Sequence, residues 1–552
     1  MSLHPGLPQL VVIVAYLGLL LMLAVLSNLR LKATRADYQL ASHSIGPVLL
    51  LLSLFGTTMT GFALVGSSGE AYRAGIGVYG LLASSSGIIH SLCFFTIGLR
   101  VWKLAKRHGY ATQIAFFRDR LESDRIGLLL FPVLVGLSIP YVLVGIISAG
   151  GILQQLTAGL WVDGPLGFAT EGPYRGGVPS WLGAGVVCGV VLTYVFFGGM
   201  RGTAWANALQ TLVFMVLGMV TFVIIVNRLG GQSDLMANMR RLASELPATV
   251  ATRSEMARSQ FFMYLLIPLS VGMFPHVFQH WLTARRASTF KLPVVAHPIF
   301  ILIVWLPCVL LGAWATTPLL AEAVQVAWQA RGFDTPPPEI PANPNYILPY
   351  MVKTLTPPLL GGCLAAGILA AIMSSLDSQF LCLGTIFNND IVMHYRGENR
   401  VSDAQQVYCT RGFVIGIVSV CYAIYLLTAA QAASVFALGV WCFSGFAALF
   451  PIVFAALYWR RLTKAGAYSG ISAAITSWAV LFYFAWTDPE VRLGDFQVML
   501  PWGEQSLAIM PVVVMFTSSL LTMVAVSLLT RPPSRETIAK FFDDANVGGA
   551  AD

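Results

Sequence analysis

The stretch AAIMSSLDSQF, Ala370 to Phe380, sets two adjacent hydroxyls (Ser374, Ser375), a carboxylate (Asp377), a third hydroxyl (Ser378) and an amide (Gln379) inside an apolar run long enough to cross a bilayer. An ionisable residue at the bilayer centre costs roughly 2.5–3.5 kcal/mol on insertion scales, so it marks a pathway or a site. On a helix, Ala371, Ser374, Ser375 and Ser378 fall at i, i+3, i+4 and i+7 and share one face. Two hydroxyls and a freed backbone carbonyl on that face offer three neutral oxygens, which suits reversible binding of a hard, singly charged cation. Packing is the competing account: serines in membrane helices bond the carbonyl one turn back or tie helices together.

The elements that must position these residues are membrane helices. Of the 552 residues 57% are hydrophobic and 11% charged, with a mean hydropathy of +0.74. That is too little polar surface for a water-soluble chain of this length, so the composition implies an all-α polytopic membrane protein. Apolar windows of about 20 residues, the length that spans the hydrocarbon, fall at thirteen places: 8–29, 47–72, 77–100, 126–150, 180–200, 203–226, 260–282, 292–315, 358–384, 408–428, 433–457, 466–486 and 508–529. With the N-terminus outside and the C-terminus cytoplasmic, 23 of the 33 Lys and Arg residues fall inside and 10 outside. That asymmetry is what the positive-inside rule requires. The first window follows MSLHPGLPQL, which has no Lys or Arg, and precedes Arg30, Lys32 and Arg35; it reads as an uncleaved helix rather than a signal peptide.

Two windows carry helix breakers at mid-depth. GTTMTGFALVG (56–66) alternates Gly with hydroxyls, and VGMFPHVFQ (271–279) contains Gly272 and Pro275. Matched interruptions in two halves point to an inverted-repeat carrier, in which unwound backbone binds ions and substrate near the midplane. Windows two to six and seven to eleven then form two five-helix units, and the odd count inverts one relative to the other. The eight cysteines lie in or beside apolar windows without CxxC spacing and read as packing residues. There is no Ser-His-Asp order in a strand-helix context, no metal-spaced His/Cys set and no phosphate loop. An enzyme is therefore not expected, and the absence of an aromatic-interleaved basic run argues against a nucleic-acid partner.

The chain resembles the sodium/solute symporter family, whose members carry proline, pantothenate, sugars, sialic acid and monocarboxylates. DYQLASHSIGP (37–47) is similar to that family's approach to its first core helix, and YVFFGGMRG (194–202) to its Gly-Gly turn between core helices four and five. AAIMSSLDSQFLCLGTIFNNDI (370–391) resembles its eighth core helix, and ALYWRRLTKAGAYSG (456–470) the basic turn after the tenth. The resemblance implies the five-plus-five inverted repeat of the leucine-transporter type and alternating access coupled to a sodium ion. It implies sodium ligands at the backbone carbonyls of Gly56, Met59 and Ala371 and the hydroxyls of Ser374 and Ser375. Many members carry a Trp-Thr-Asp pattern on the fifth core helix, whereas this chain reads WANALQ, with Ala206 and Asn207 there. Asn207, Asp377 and Ser378 are thus candidates for a second ion or for coupling: Asp377 takes over the missing charge, or serves as a gate or a helix–helix hydrogen bond. One coupling sodium is expected.

By the logic of that fold the solute sits between the two breaks, lined by Phe62, Ala63, His276, Gln279 and Trp441, with His90, Tyr141 and Ser444 nearby. No Lys or Arg lies deep in a core window, and Ala63 stands where sugar carriers place a polar residue. Both favour import of a small organic anion or amino acid over a sugar. The implied organisation is an extra helix and inside loop (1–36), a first repeat (37–226), an outside amphipathic segment (227–259), a second repeat (260–457) with an outside loop (316–357), two further helices (458–529) and a cytoplasmic tail (530–552), in a plasma membrane of the bacterial inner-membrane kind. The Pro-rich 335–345 reads as an extended part of that loop. The partners are the solute, Na⁺ and the bilayer. A proton-driven or uncoupled carrier of the same fold, with Asp377 and His276 titrating, remains the alternative. A solute sensor is disfavoured because the tail is too short for an output domain.

Overall fold

A computed structural model describes residues 6–30, 35–162, 174–254, 256–332, 336–396, 402–428, 434–487, 498–502 and 505–543. Its helices are α1 (Leu7–Arg30), α2 (Pro47–Thr58), α3 (Phe62–Ala74), α4 (Gly77–His108), α5 (Gln113–Arg120), α6 (Ile126–Thr157), α7 (Ser180–Gly230) and α8 (Leu235–Ser244). There follow α9 (Arg258–Gly272), α10 (Pro275–Leu282), α11 (Ala287–Trp314), α12 (Leu319–Gln329), α13 (Ile347–Leu355), α14 (Pro358–Arg396), α15 (Asp403–Leu427), α16 (Val435–Tyr458), α17 (Lys464–Thr487), α18 (Pro511–Leu529) and α19 (Arg535–Phe542). A hairpin of β1 (Val498–Trp502) and β2 (Gln505–Ile509), paired antiparallel with Val498 opposite Ile509, is a small addition to the expected all-helical architecture.

Among the described residues nine helices are long and apolar enough to cross a membrane, or eleven when each of two bent pairs counts as one span. The thirteen expected windows differ from that count in two places. Windows 180–200 and 203–226 are the single assigned helix α7, which turns at Gly199 (φ 53°, ψ −159°). Only glycine holds that backbone without strain, and an added Cβ there would meet the ring of Tyr38. The other is α1, whose apolar stretch Leu7–Leu23 is shorter than the rest.

The bent pairs are α2–α3, at 60°, and α9–α10, at 48°. In the first, Thr58 turns its hydroxyl back on the carbonyls of Leu54 and Phe55, and Met59 is extended (φ −90°, ψ 107°). The Ala63 amide, which an unbroken helix would aim at Met59, bonds Thr60 O instead at 2.9 Å. In the second, Pro275 opens α10 with no N–H to continue the ladder, after Phe274 in an extended conformation. The chain leading into α2 is stitched to the end of α10: Ile45 N donates to Thr283 O (3.2 Å) and Arg285 N to Ile45 O (3.0 Å).

Burial sorts the helices. The apolar windows of α14 and α16 are 83% and 89% buried, against 22% and 28% for α17 and α18, so the first two run through the centre and the last two line the rim. α14 packs along α7, α6, α1 and α2. The expected outside loop 316–357 contains α12 and α13, and the amphipathic segment contains α8, capped by Asp234 on the amides of Met236 and Ala237. α19 docks on α5: Lys540 reaches Asp119 at 2.5 Å, and Phe541 and Phe542 lie beneath the Arg120 guanidinium. α5 in turn ties down the break between α9 and α10, and α14, because Gln113 donates to Met273 O and Arg118 pairs with Asp390 at 2.7 Å.

Candidate functional site

The site is built where the broken α2 crosses α14. Gly56 allows the approach: an added Cβ would lie 2.5 Å from Thr211 Oγ1 and 3.1 Å from Asn207 O, both on α7. α2 is thereby pressed between α7 and α14, and the Gly56 carbonyl faces the serine row. Ser374 Oγ donates to Gly56 O at 2.8 Å and to Ala371 O at 2.9 Å, so one hydroxyl spans both helices. The Ser374 hydroxyl thus touches two of the other four oxygens expected around a sodium ion. The Met59 carbonyl belongs to the extended residue at the break and has lost its helical acceptor role to Thr60. Ser375 Oγ turns back to Ile372 O at 2.9 Å, the one-turn bond by which serines settle in helices. Ala371, Ser374 and Gly56 are fully buried. The donor set is neutral, oxygen-only and partly preformed, which suits a singly charged hard cation.

One turn further on, Asp377 sits in a polar chain that sequence reasoning had only half identified. Tyr194 donates to its Oδ2 at 2.9 Å and Ser378 to its Oδ1 at 3.0 Å. Asn207 donates to Ser378 Oγ at 2.8 Å, and His280 Nε2 lies 3.2 Å from the same oxygen. The other His280 nitrogen, Nδ1, lies 3.0 Å from Ser53 Oγ. Tyr194, His280 and Ser53 were not anticipated. His280 lies one turn from His276, and Ser53 one turn before Gly56, so helical spacing carried a faint signal; for Tyr194 there was none. The chain joins α7, α14, α10 and α2, that is, both broken helices to the serine helix.

The expected solute residues divide. Phe62, Tyr141 and His276 come together in an aromatic box with Phe274 and Phe443: Phe62 meets Phe443 edge-on at 4.9 Å between ring centroids, Tyr141 lies 5.5 Å from His276, and His276 stacks on Phe274 at 5.2 Å. His276 Nε2 is buried without a hydrogen-bond partner among the described residues. Ala63 follows Phe62 on α3 and is fully buried. The other four are engaged with partners outside the box. His90 pairs with His297 (3.1 Å) between α4 and α11. Gln279 is held by Gln39 O and Thr385 Oγ1 at 2.8 and 3.2 Å. Trp441 turns to α17, its ring against Phe482 and its carbonyl accepting from Trp478. Ser444 bonds back to Val440 O.

Residues 177–473 match the Sodium:solute symporter family. A sodium/proline symporter of Staphylococcus aureus is 24% identical over 88% of this chain and 88% of its own length. A high-affinity proline transporter of Bacillus subtilis (strain 168) is 24% identical over 92% of this chain and 95% of its own. Among solved structures, a Na⁺-coupled sialic acid symporter in a substrate-bound outward-open state superposes with a TM-score of 0.67 at 16% identity, covering 96% of this chain and 98% of that one. That likeness establishes the fold, a bundle of membrane helices built around two broken ones.

Proposed function

Because this chain belongs to the sodium:solute symporter family, a family of transporters rather than enzymes, we propose that it imports a small amino acid or organic anion by alternating access, drawn by one sodium ion per cycle. The single observation that carries the reading is the Ser374 hydroxyl bridging the broken helix and α14, at 2.8 Å from Gly56 O and 2.9 Å from Ala371 O. A cation entering between these helices would take the lone pairs of Ser374 and the carbonyls of Gly56, Met59 and Ala371, with Ser375 turning from its own helix to join them. The broken helix and α14 would then be held as one.

Support for one sodium comes from Asn207, which supplies an amide where many relatives have a carboxylate; the nearby Asp377 is engaged by Tyr194 and Ser378. The solute would occupy the aromatic box, where the Nε2 edge of His276 and amides at the opening of α10 meet a carboxylate. The driving force suffices: one Na⁺ moving across about 100 mV gains about 2.3 kcal/mol, and a roughly tenfold gradient adds about 1.4 kcal/mol. Together these support several-hundredfold accumulation of a neutral solute.

The test is uptake of radiolabelled amino acids and small organic acids into proteoliposomes, with sodium outside or replaced by choline, at several pH values. Sodium-dependent uptake of at least one such solute is expected, with charge entry equal to one sodium per zwitterion. Equal uptake in choline would remove the coupling, and strong uptake of a hexose would remove the solute class. The buried Asp377–Ser378–His280 chain favours a second reading, a proton in place of sodium. Uptake driven by a pH gradient in choline would select it.

A further inference from the structure

Just after its Gly199 turn, α7 presents a stripe in which Arg201, Trp205, Ala208 and Leu212 fall at i, i+4, i+7 and i+11, on one helical face. All four line a groove of about 770 Å³ between α1 and α2, both of which pack along α7. Leu23 and Leu26 supply the α1 wall, and Val48, Leu49 and Leu52 the α2 wall. The buried Gly202, Ala206 and Ala208 keep the floor low. Arg201, at one end, is the single charged residue among those described on this lining. Trp205, one turn away, is 64% exposed. An open Trp ring beside an arginine marks the membrane–water interface, where Trp sits at headgroup level and a guanidinium reaches phosphate or water. From Arg201 to Leu212 the helix rises about 16 Å at about 1.5 Å per residue, close to half of a hydrocarbon core of about 30 Å. The groove thus runs from headgroup level to the bilayer midplane. The orientation given by the Lys and Arg distribution turns its Arg201 end to the cytoplasm.

We propose that this groove is a binding site for one anionic glycerophospholipid of the cytoplasmic leaflet, with its phosphate on Arg201 and an acyl chain lying over the floor as far as Leu212. A guanidinium fork meets phosphate oxygens through two parallel N–H···O bonds. The described lining offers no carboxylate to balance the ammonium of a zwitterionic headgroup. Phosphatidylglycerol therefore fits, whereas phosphatidylcholine leaves a cation unmatched. The apolar walls and small-residue floor suit a hydrocarbon chain, and a soluble phosphate would leave them empty. Leu52, on the α2 wall, accepts from Thr211 Oγ1 at 2.8 Å, so a chain seated there lies along the joint between α2 and α7. The site stands independently of the transported solute and of the coupling ion.

The test is native mass spectrometry of the purified, delipidated full-length protein titrated with phosphatidylglycerol or phosphatidylcholine of the same acyl chains. The first phosphatidylglycerol is expected to bind at least ~10-fold more tightly than the first phosphatidylcholine. Arg201→Gln should abolish that preference, and Lys464→Gln, which removes an exposed cation from the same side of the membrane, should keep it. Val48 is exposed, so Val48→Trp is expected to fold even where the arginine variant does not; an indole on that wall should weaken the first phosphatidylglycerol at least ~10-fold. Thermal unfolding gives a second readout, because a lipid bound to the folded chain raises its melting temperature. Phosphatidylglycerol should raise it more than phosphatidylcholine does, and the excess should vanish in both groove variants. Glycerol 3-phosphate, a headgroup without chains, should fail to compete in large excess. Equal affinity for the two lipids, a preference that survives Arg201→Gln or is lost equally in Lys464→Gln, binding indifferent to Val48→Trp, or competition by glycerol 3-phosphate would overturn the proposal.

Discussion

Removing the Ser374 hydroxyl perturbs the proposed sodium site with the least change in volume. In the folded chain Ser374→Ala deletes the hydrogen bonds to Gly56 O and Ala371 O. The hydroxyl has one proton, shared between these two carbonyls, so the loss is that of one hydrogen bond and stability should fall by about 0.5–1.5 kcal/mol. The effect on sodium is larger, because an oxygen facing a full charge contributes about 1.5–3 kcal/mol. Converted at 1.4 kcal/mol per decade, the half-saturating sodium concentration for uptake rises about 10- to 150-fold. Adding Ser375→Ala removes the second hydroxyl and pushes the requirement beyond accessible concentrations. The assay is initial uptake into proteoliposomes at external NaCl from below to well above the wild-type half-saturation point, with total ionic strength held by choline chloride. Thermal unfolding of the same preparations separates lost affinity from lost fold. If the half-saturating concentration moves by less than twofold in the double variant while melting is normal, the two serines do not hold the ion and the assignment fails.

Three further outcomes follow from the packing. Gly56→Ala places a Cβ 2.5 Å from Thr211 Oγ1; overpacking of this kind costs about 1–3 kcal/mol, and the displaced carbonyl should weaken sodium dependence together with thermal stability, whereas Gly18→Ala, with open space around it, should change neither. Arg118→Met removes the ion pair that Arg118 makes with Asp390, 1% exposed, at 2.7 Å; breaking such a pair costs about 3–5 kcal/mol, and Arg118→Met/Asp390→Leu should recover much of the lost melting temperature. Lys353 is pushed down to about 8, first by burial and then by Arg331. The folded chain thus gives up this proton before the unfolded chain does, so stability should rise with pH between about 8 and the ordinary lysine value of 10.5. Melting followed from pH 7.5 to 9.5 should show that rise in the wild type and a flatter profile in Lys353→Met.

The sequence carried most of what local chemistry can encode. The breaks were legible because glycines and hydroxyls crowd 56–66, around the extended Met59, and because Pro275 has no N–H to give, and the serine face because a helical period of 3.6 puts Ser374 and Ser375 on one side whatever packs there. What failed to converge was long-range. Trp441 and Ser444 lie on the most buried of the apolar spans, yet an apolar helix buried all round gives no sign of which face meets the pocket; Trp441 turned to Phe482 and Trp478. His90 had a histidine partner 207 residues away, and Gln279 had Gln39 and Thr385. Tyr194, His280 and Ser53 were missed for the same reason, since each is an isolated polar residue until three helices bring it to Asp377 and Ser378.

That polar chain bears on how an ion could do mechanical work. A cation bound only to α14 would alter one helix; one bound across Gly56 and Ser374 joins α14 to α2, whose half-helix α3 bends away at 60° and bears Phe62 against the aromatic box. The next turn of α14 repeats the arrangement with protein groups alone, since Ser378 reaches His280 on α10 and, through it, Ser53 on α2. Both broken helices therefore rest on one face of α14 over two successive turns. On the proposed reading, sodium replaces the lone Ser374–Gly56 hydrogen bond at the first turn with a five-oxygen attachment, and its loss to the cytoplasm leaves α2 on that single bond while the hydrogen bonds at the second turn hold. Cutting the second turn with Ser378→Ala should leave the sodium requirement within about threefold, because the hydrogen bonds removed, to Asp377, Asn207 and His280, are not made to the ion, and should instead slow turnover. A variant that lost sodium affinity as severely as Ser374→Ala would show that the two turns act as one site and that the division between ion binding and helix coupling is wrong.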